Sequence, residues 1–137
     1  KWIFISLLSV SATIALQAQI REIPAVVTEA LITRYPHATN VSWKDKITSF
    51  QAEFTLNNHS MTANFNSKGE WQSGECIIDF NNLPADVRDG FSKSKYASWE
   101  KTSVTELQSM GKPVQYRIVV QKGALQKKGL YFNYVLL

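Results

Sequence analysis

The stretch "IPAVVTEAL", residues 23–31, has a counterpart in "LPADVRDGF", residues 83–91. Each copy places a proline where a helix would begin, a position that tolerates proline because its missing N–H would be unpaired there. Apolar residues then recur on one face at helical spacing in both copies: Val27, Ala30, Leu31 and Tyr35 in the first, and Val87 and Phe91 in the second. The repeated phrase therefore predicts two equivalent helices.

A period of two follows each predicted helix. Residues 49–56 alternate apolar and polar side chains, and so do residues 113–120. This pattern is typical of antiparallel strands whose sheet is covered on one side only. We expect return strands at residues 60–66 and 125–134, the first of them after an Asn-rich hairpin turn.

The two copies together predict a fold of the α+β class. Each is a helix followed by a three-to-four-stranded antiparallel sheet, so we predict a tandem duplication with both helices on one face of the sheet. The repeats cover about residues 20–80 and 81–137, and their offset grows from 60 to 67 residues at predicted loops. The second copy ends in "YVLL", which indicates a degraded or truncated last hairpin. One copy buries little surface alone, so we expect a shared core.

The N-terminus has the pattern of a secretory signal peptide. A single Lys1 precedes an apolar stretch that turns polar at Gln17, and we place cleavage after Ala18. A retained anchor is the alternative, but a membrane-spanning helix needs about 20 apolar residues. We therefore predict a signal peptide at 1–18, one domain at 19–137, a periplasmic or secreted location and no stable membrane insertion.

Composition excludes several classes of function. Residues 19–137 hold 14 basic and 11 acidic residues, a net charge of +3, which is too small and scattered to predict nucleic-acid binding. Cys76 is the sole cysteine, so no internal disulfide can form. We interpret Cys76 as a small core residue rather than a nucleophile.

Three segments carry a resemblance to a known family. "IPAVVTEALITRYPHATNVSW" at 23–43, "FQAEFTLNN" at 50–58 and "FNSKGEW" at 65–71 resemble the PepSY-like, or β-lactamase-inhibitor-like, secreted envelope proteins of bacteria. The shared phrases are Ile/Leu-Pro before the helix, aromatic-Pro-x-Ala after it, and a Gly-containing turn between aromatic residues. The second copy departs at "YVLL", where the expected glycine is absent. The resemblance implies a tandem helix-plus-sheet layout and no particular chemistry.

A catalytic set is hard to assemble from this sequence. The only histidines are His37, after the first helix, and His59, in a predicted hairpin turn. Neither makes a zinc-ligand spacing with Cys76, and there is no phosphate loop or nucleophile elbow. Asp86 and Asp89 are explained by the start of a helix. We predict no catalytic residues, no cofactor and no metal, and therefore no enzyme.

A binding function has more support, because the polar face of the predicted sheet is broad. We name five candidate protein-binding residues: Glu53, Trp99, Gln115, Arg117 and Tyr131. Glu53 and Arg117 hold equivalent positions in the copies, so they form either an ordinary solvated pair or a charge contact with a partner. Trp99 lies in a predicted loop, either exposed or buried, whereas Trp43 is expected in the core.

Three functions stay open at this point. The first is a non-enzymatic protein that binds or inhibits an envelope or secreted protein through the open face of the sheet. The second is a carrier or sensor of a small ligand or peptide, held in a cleft between the copies. The third is an enzyme, which would need a histidine near a carboxylate. The oligomeric state is open too, because a free edge strand can pair with another chain.

Overall fold

Two α-helices and seven strands follow one another along residues 21–134, the part of the chain that the computed structural model describes. The first half holds α1 (Ala25–Arg34), β1 (Thr39–Asp45), β2 (Phe50–Leu56), β3 (His59–Phe65) and β4 (Trp71–Ile77). A 3-10 turn (Phe80–Asn82) leads to α2 (Ala85–Ser92), β5 (Glu100–Ser109), β6 (Gln115–Lys122) and β7 (Gln126–Asn133). The predicted signal peptide at 1–18 and residues 135–137 lie outside the described residues.

The seven strands form one antiparallel sheet in chain order, β1 to β7. The chain leaves the sheet only between β4 and β5, where the 3-10 turn and α2 intervene. The two strands still pair directly, Ser73 opposite Ser109 through Ile77 opposite Thr105, so the sheet has no gap between the halves. The predicted α+β class with an antiparallel sheet is confirmed.

Both helices cover the same face of the sheet, as predicted. Residues directly opposite in antiparallel strands share a face, and one row runs across six strands: Phe54, Met61, Cys76, Glu106, Tyr116 and Phe132. Val27 and Leu31 of α1 pack at the first end of this face, and Val87 and Phe91 of α2 at the second. The opposite face carries no helix within residues 21–134.

The prolines that open the repeated phrase lie one residue earlier than predicted. Pro24 and Pro84 are the N-cap residues, with ψ of 142° and 147°, rather than the first helical residues. The carbonyl of Pro24 accepts hydrogen bonds from the amides of Val27 and Thr28. Proline suits this position because a cap needs an acceptor carbonyl and no N–H of its own.

The expectation of one shared interior is wrong. The buried apolar residues form two clusters, one under α1 around Phe50 and Phe65, and one under α2 around Phe91 and Ile118. The physical reason lies where β4 and β5 pair on the helix side, because the residues opposite one another there are small or polar: Gly74 with Gln108, and Cys76 with Glu106. Apolar packing stops at this seam, and backbone pairing joins the halves. The division into repeats 20–80 and 81–137 stays a prediction.

The predicted Asn-rich hairpin is confirmed between β2 and β3. Asn57 and Asn58 have φ of 50° and 62°, the left-handed region that asparagine tolerates better than most residues. Two consecutive positive φ values give the tight turn whose twist matches paired antiparallel strands. The turn sets the register that points Phe50, Ala52 and Phe54 toward α1.

Candidate protein-binding face

The sheet face turned away from both helices is a broad, largely polar surface, which we call the open face. The register places on it residues from every strand, including Ser42, Lys44, Gln51, Glu53, Thr62, Asn64, Ser73, Glu75, Ile77, Thr105, Leu107, Gln115, Arg117, Val119, Tyr131 and Asn133. Four of the five candidate residues, Glu53, Gln115, Arg117 and Tyr131, therefore lie on one surface.

One row of the open face combines exposed apolar side chains with a cation. Ile77, Thr105, Arg117 and Tyr131 lie directly opposite one another across β4 to β7, and we call them the Ile77–Tyr131 row. Ile77 is 53% exposed and Tyr131 57% exposed, whereas Thr105 between them is only 3% exposed. The row therefore offers two apolar projections on either side of a covered centre.

Arg117 is held in place from a neighbouring row. Its Nη2 lies 3.5 Å from Oε2 of Glu75, a half-exposed ion pair that contributes orientation more than stability. The Tyr131 ring lies along its own strand beside Gly129. Both side chains are thus partly ordered before any partner arrives.

A depression of about 420 Å³ lies beside the row, at the seam between the halves. Ser73 and Glu75 line it from β4, Leu107 from β5, and Gln115 from β6. Nε2 of Gln115 donates a hydrogen bond of 2.8 Å to Oδ1 of Asn133 at its rim. On the helix side of the same seam, the space between Tyr35 and Glu106 is only about 10 Å³, room for about one water molecule.

Of the two alternatives for Glu53 and Arg117, the solvated pair is not formed, and the contact with a partner stays a prediction. Glu53 lies on β2, four strands away from β6, and accepts a 2.5 Å hydrogen bond from Nζ of Lys44. Arg117 is paired with Glu75 instead. Each candidate therefore has a local partner on the adjoining part of the open face. The sequence could not show this, because equivalent positions in two copies lie in different halves of the sheet.

Trp99 does not lie on the open face. It is half-buried against the cluster under α2, and its ring meets the Tyr96 ring edge-on at 5.0 Å between centroids. Trp43 is also half-buried, 6.2 Å from the Phe65 ring between centroids, which confirms its predicted place at the first core.

Sequence reasoning missed Ile77, Leu107 and Glu75 on the open face. The run "ECIIDF" gives no clean alternation, so it could not show which of Ile77 and Ile78 faces solvent. A register shift between Asn64 and Phe65 moves β4 relative to β3 as well. The pairing of β4 with both β3 and β5 settles the facing of these side chains.

The groups considered for chemistry lie apart. His37 is exposed after α1, and Nδ1 of His59 lies 3.1 Å from the carbonyl oxygen of Ile77. Cys76 is half-buried at the helix-side seam, where burial, and secondarily the charge of Glu106, raises the pKa of its thiol. A raised pKa disfavours the reactive thiolate. Within residues 21–134, no three His, Cys, Asp or Glu residues are placed to hold a metal ion.

Neither helix in the described part of the chain is both long and apolar enough to span a bilayer.

Comparison with solved structures identifies the architecture. A BLIP-like protein from Bacteroides fragilis matches with a TM-score of 0.78 at 26% identity, over 84% of this chain and 82% of that one. The chain has a BLIP-like fold. A DUF2874 family protein from Bacteroides uniformis matches with a TM-score of 0.76 at 25% identity, over 80% and 81% of the two chains.

A proposed periplasmic protein from Bacteroides eggerthii shares the BLIP-like fold, with a TM-score of 0.77 at 24% identity over 82% of this chain and 83% of that one. No family model and no curated protein matches the sequence. The comparisons thus define the fold.

Proposed function

We propose that this chain is a non-enzymatic protein of the periplasm or the secreted fraction that binds another protein through its open face. The observation that carries the proposal is the Ile77–Tyr131 row, in which an exposed aliphatic and an exposed aromatic side chain flank an oriented arginine. Tyr and Arg are enriched among the residues that dominate binding energy at protein interfaces.

Preorganisation strengthens this proposal. Binding loses free energy when rotamer-rich side chains become ordered, by about 0.5–1.5 kcal/mol for each one. The Glu75 contact restrains Arg117, and the Tyr131 ring lies along its strand beside Gly129, so less ordering remains for the bound state. A sheet of seven strands also presents a surface wide enough for a partner without a deep pocket.

The proposed location rests on the sequence pattern at residues 1–18 and on the proposed periplasmic protein that shares this fold. We also propose that the chain belongs to the PepSY-like group, on the phrases quoted above. Corresponding core positions support a duplicated unit: Val27 with Val87, Leu31 with Phe91, Phe54 with Ile118, and Phe65 with the partly buried Phe132. Halves that fail to superpose in an experimental structure would argue against that origin.

Capture from an envelope extract on the immobilised mature chain tests the binding proposal. We expect the Arg117→Ala/Tyr131→Ala double variant to retain at least about tenfold less of a partner that the unmodified chain captures, since an interface residue of this kind contributes about 1.4 kcal/mol or more. Both side chains are partly or largely exposed, so the fold should survive.

The matched control is Lys46→Ala/Ile47→Ala, which removes one cation and one apolar side chain that is 84% exposed at the β1–β2 turn. This variant should capture the partner as the unmodified chain does. Equal capture by all three proteins would exclude the Ile77–Tyr131 row as the binding surface. A loss shared by both variants would indicate a non-specific effect of surface charge.

The depression beside the row favours a second candidate, a carrier of a small ligand or short peptide. Its volume of about 420 Å³ falls in the range of ligand pockets, roughly 300–1,000 Å³. A thermal-shift screen of metabolites and short peptides should then raise the melting temperature of the unmodified chain but not of a Leu107→Arg variant, which fills the depression. A screen without any stabilising compound would reject this candidate.

A further inference from the structure

The charges of the two halves have opposite signs. Residues 19–80 hold 5 basic and 7 acidic residues, a net charge of −2, whereas residues 81–137 hold 9 basic and 4 acidic residues, a net charge of +5. The small net charge of the whole chain hides this asymmetry. A charge difference of this kind favours a specific acidic partner at the second half over uniform attraction to any polyanion.

Part of this positive charge lines a groove of about 500 Å³ between the segment after α2 and the start of β7. Lys95 and Lys128 supply cations on the helix side, Lys127 adjoins them from the open face, and Tyr96, Trp99 and Leu125 supply apolar walls. Leu125 is 97% exposed. None of the three lysines is within 4.0 Å of a carboxylate oxygen in the described residues, so the groove combines uncompensated positive charge with apolar surface.

The groove adjoins the outer edge of β7, the last strand of the sheet. β7 pairs with β6 in an unbroken register from Gln126 to Asn133, and no described strand pairs with its other edge. The opposite edge strand, β1, is interrupted by a register shift between Thr39 and Ser42, and Asn40 has φ of 53°. Bulges of this kind blunt an edge, whereas a regular edge presents unpaired N–H and C=O groups for another strand.

We propose that the edge of β7 binds an extended acidic peptide as an eighth strand, with one side of that peptide in the groove. Side chains of an added strand alternate between the two faces of the sheet. Lys127 lies on the open face, opposite Gln121, and Lys128 lies on the helix side, opposite Val120. Two consecutive acidic residues of the peptide would therefore each meet an ammonium group.

Charge and shape argue against other occupants. A second copy of this chain would bring two halves of net charge +5 together at their most basic edges, which repel each other. Lipid headgroups and free phosphate would use the lysines but not the regular array of backbone groups along β7. The proposal goes beyond binding at the open face, because it uses the edge and the helix-side groove.

A fluorescein-labelled synthetic octapeptide, Val-Thr-Glu-Glu-Val-Thr-Glu-Thr, is the probe for this site. Fluorescence anisotropy should show saturable binding to the mature chain, and amide chemical shifts should change in β7 and at residues 95–99. The same peptide with Lys in place of Glu should bind at least about tenfold more weakly, because attraction becomes repulsion. The acidic peptide with every backbone amide N-methylated, which can donate no backbone hydrogen bond from either edge, should bind more weakly by a similar factor.

The matched protein variants are Lys127→Glu/Lys128→Glu at the edge and Lys46→Glu/Lys68→Glu in the first half. All four lysine side chains are exposed. The edge variant should bind the acidic peptide about tenfold or more weakly, and the first-half variant should bind it within about twofold of the unmodified chain. Three results would overturn the proposal: no peptide binding, equal binding of the N-methylated peptide, or sedimentation as a dimer. Binding to anionic lipid vesicles without binding to the peptide would also overturn it.

Discussion

Replacing Phe65 with alanine should lower the free energy of unfolding by about 3–5 kcal/mol, the range for truncating a fully buried phenylalanine. Phe65 has no exposed surface and lies opposite Phe50 in the strand pairing, with the Trp43 ring close by. Its removal leaves a cavity under α1 that the neighbouring rings cannot fill without leaving their own positions. Urea denaturation followed by circular dichroism measures the loss.

Phe91→Ala and Tyr131→Ala are the comparisons for this measurement. Phe91 is 2% exposed in the other cluster, so its truncation should have a similar effect on stability. Tyr131 is 57% exposed on the open face, and its truncation should change the free energy of unfolding by less than about 1 kcal/mol. A Phe65→Ala loss no larger than that of Tyr131→Ala would show that the cluster under α1 is not a packed core.

The helices and strands were predictable because each has a local cause in the sequence. The alternation in "FQAEFTL" gives β2, and the buried pattern of this strand follows it at Phe50, Ala52 and Phe54. Asn57 and Asn58 fix the hairpin that follows. Helix, turn and strand signals agree along the first half, and a fold is predictable from its sequence where such local signals agree.

The arrangement of the interior was not predictable in the same way. Gly74, Cys76, Glu106 and Gln108 look unremarkable in the sequence, and only their pairing across β4 and β5 places them together as a seam. Two clusters therefore replace the single core that a surface-to-volume argument favours. Each half has a small interior of its own, and β-sheet pairing rather than apolar packing joins the halves.

The candidate site was only partly predictable, for a related reason. Gln115 and Arg117 were assigned to the open face because residues 113–120 alternate cleanly, whereas the run "LQKKGLYFNY" gave a weaker pattern for Tyr131. The direction of the Trp99 side chain was not predictable, because Trp99 lies between α2 and β5, where no helical or strand period applies. The aromatic and basic residues near Trp99 come from segments about thirty residues apart, and their juxtaposition depends on β7 returning beside the segment after α2.

Gly69→Ala should destabilise the chain by about 2–4 kcal/mol, although it adds a single methyl group. Gly69 has φ of 79°, where a residue with a side chain is strained by about 1–2 kcal/mol. A Cβ at this position would also lie 2.7 Å from the carbonyl oxygen of Val26, in the first turn of α1. Since the next residue, Val27, is fully buried, α1 cannot shift without disturbing the first cluster.

Gly111→Ala is the control that separates backbone strain from the contact with the Val26 carbonyl oxygen. Gly111 has φ of 71°, so its backbone strain is comparable, but nothing lies within 4 Å of the added Cβ. Its loss should be about 1–2 kcal/mol, and the reduced freedom of the unfolded chain offsets both variants equally. The excess for Gly69→Ala, about 1–3 kcal/mol in denaturant titrations, measures how tightly the β3–β4 turn is packed against α1. Equal losses would mean that α1 yields at Val26, and that the helix is held to the sheet more loosely than its buried residues indicate.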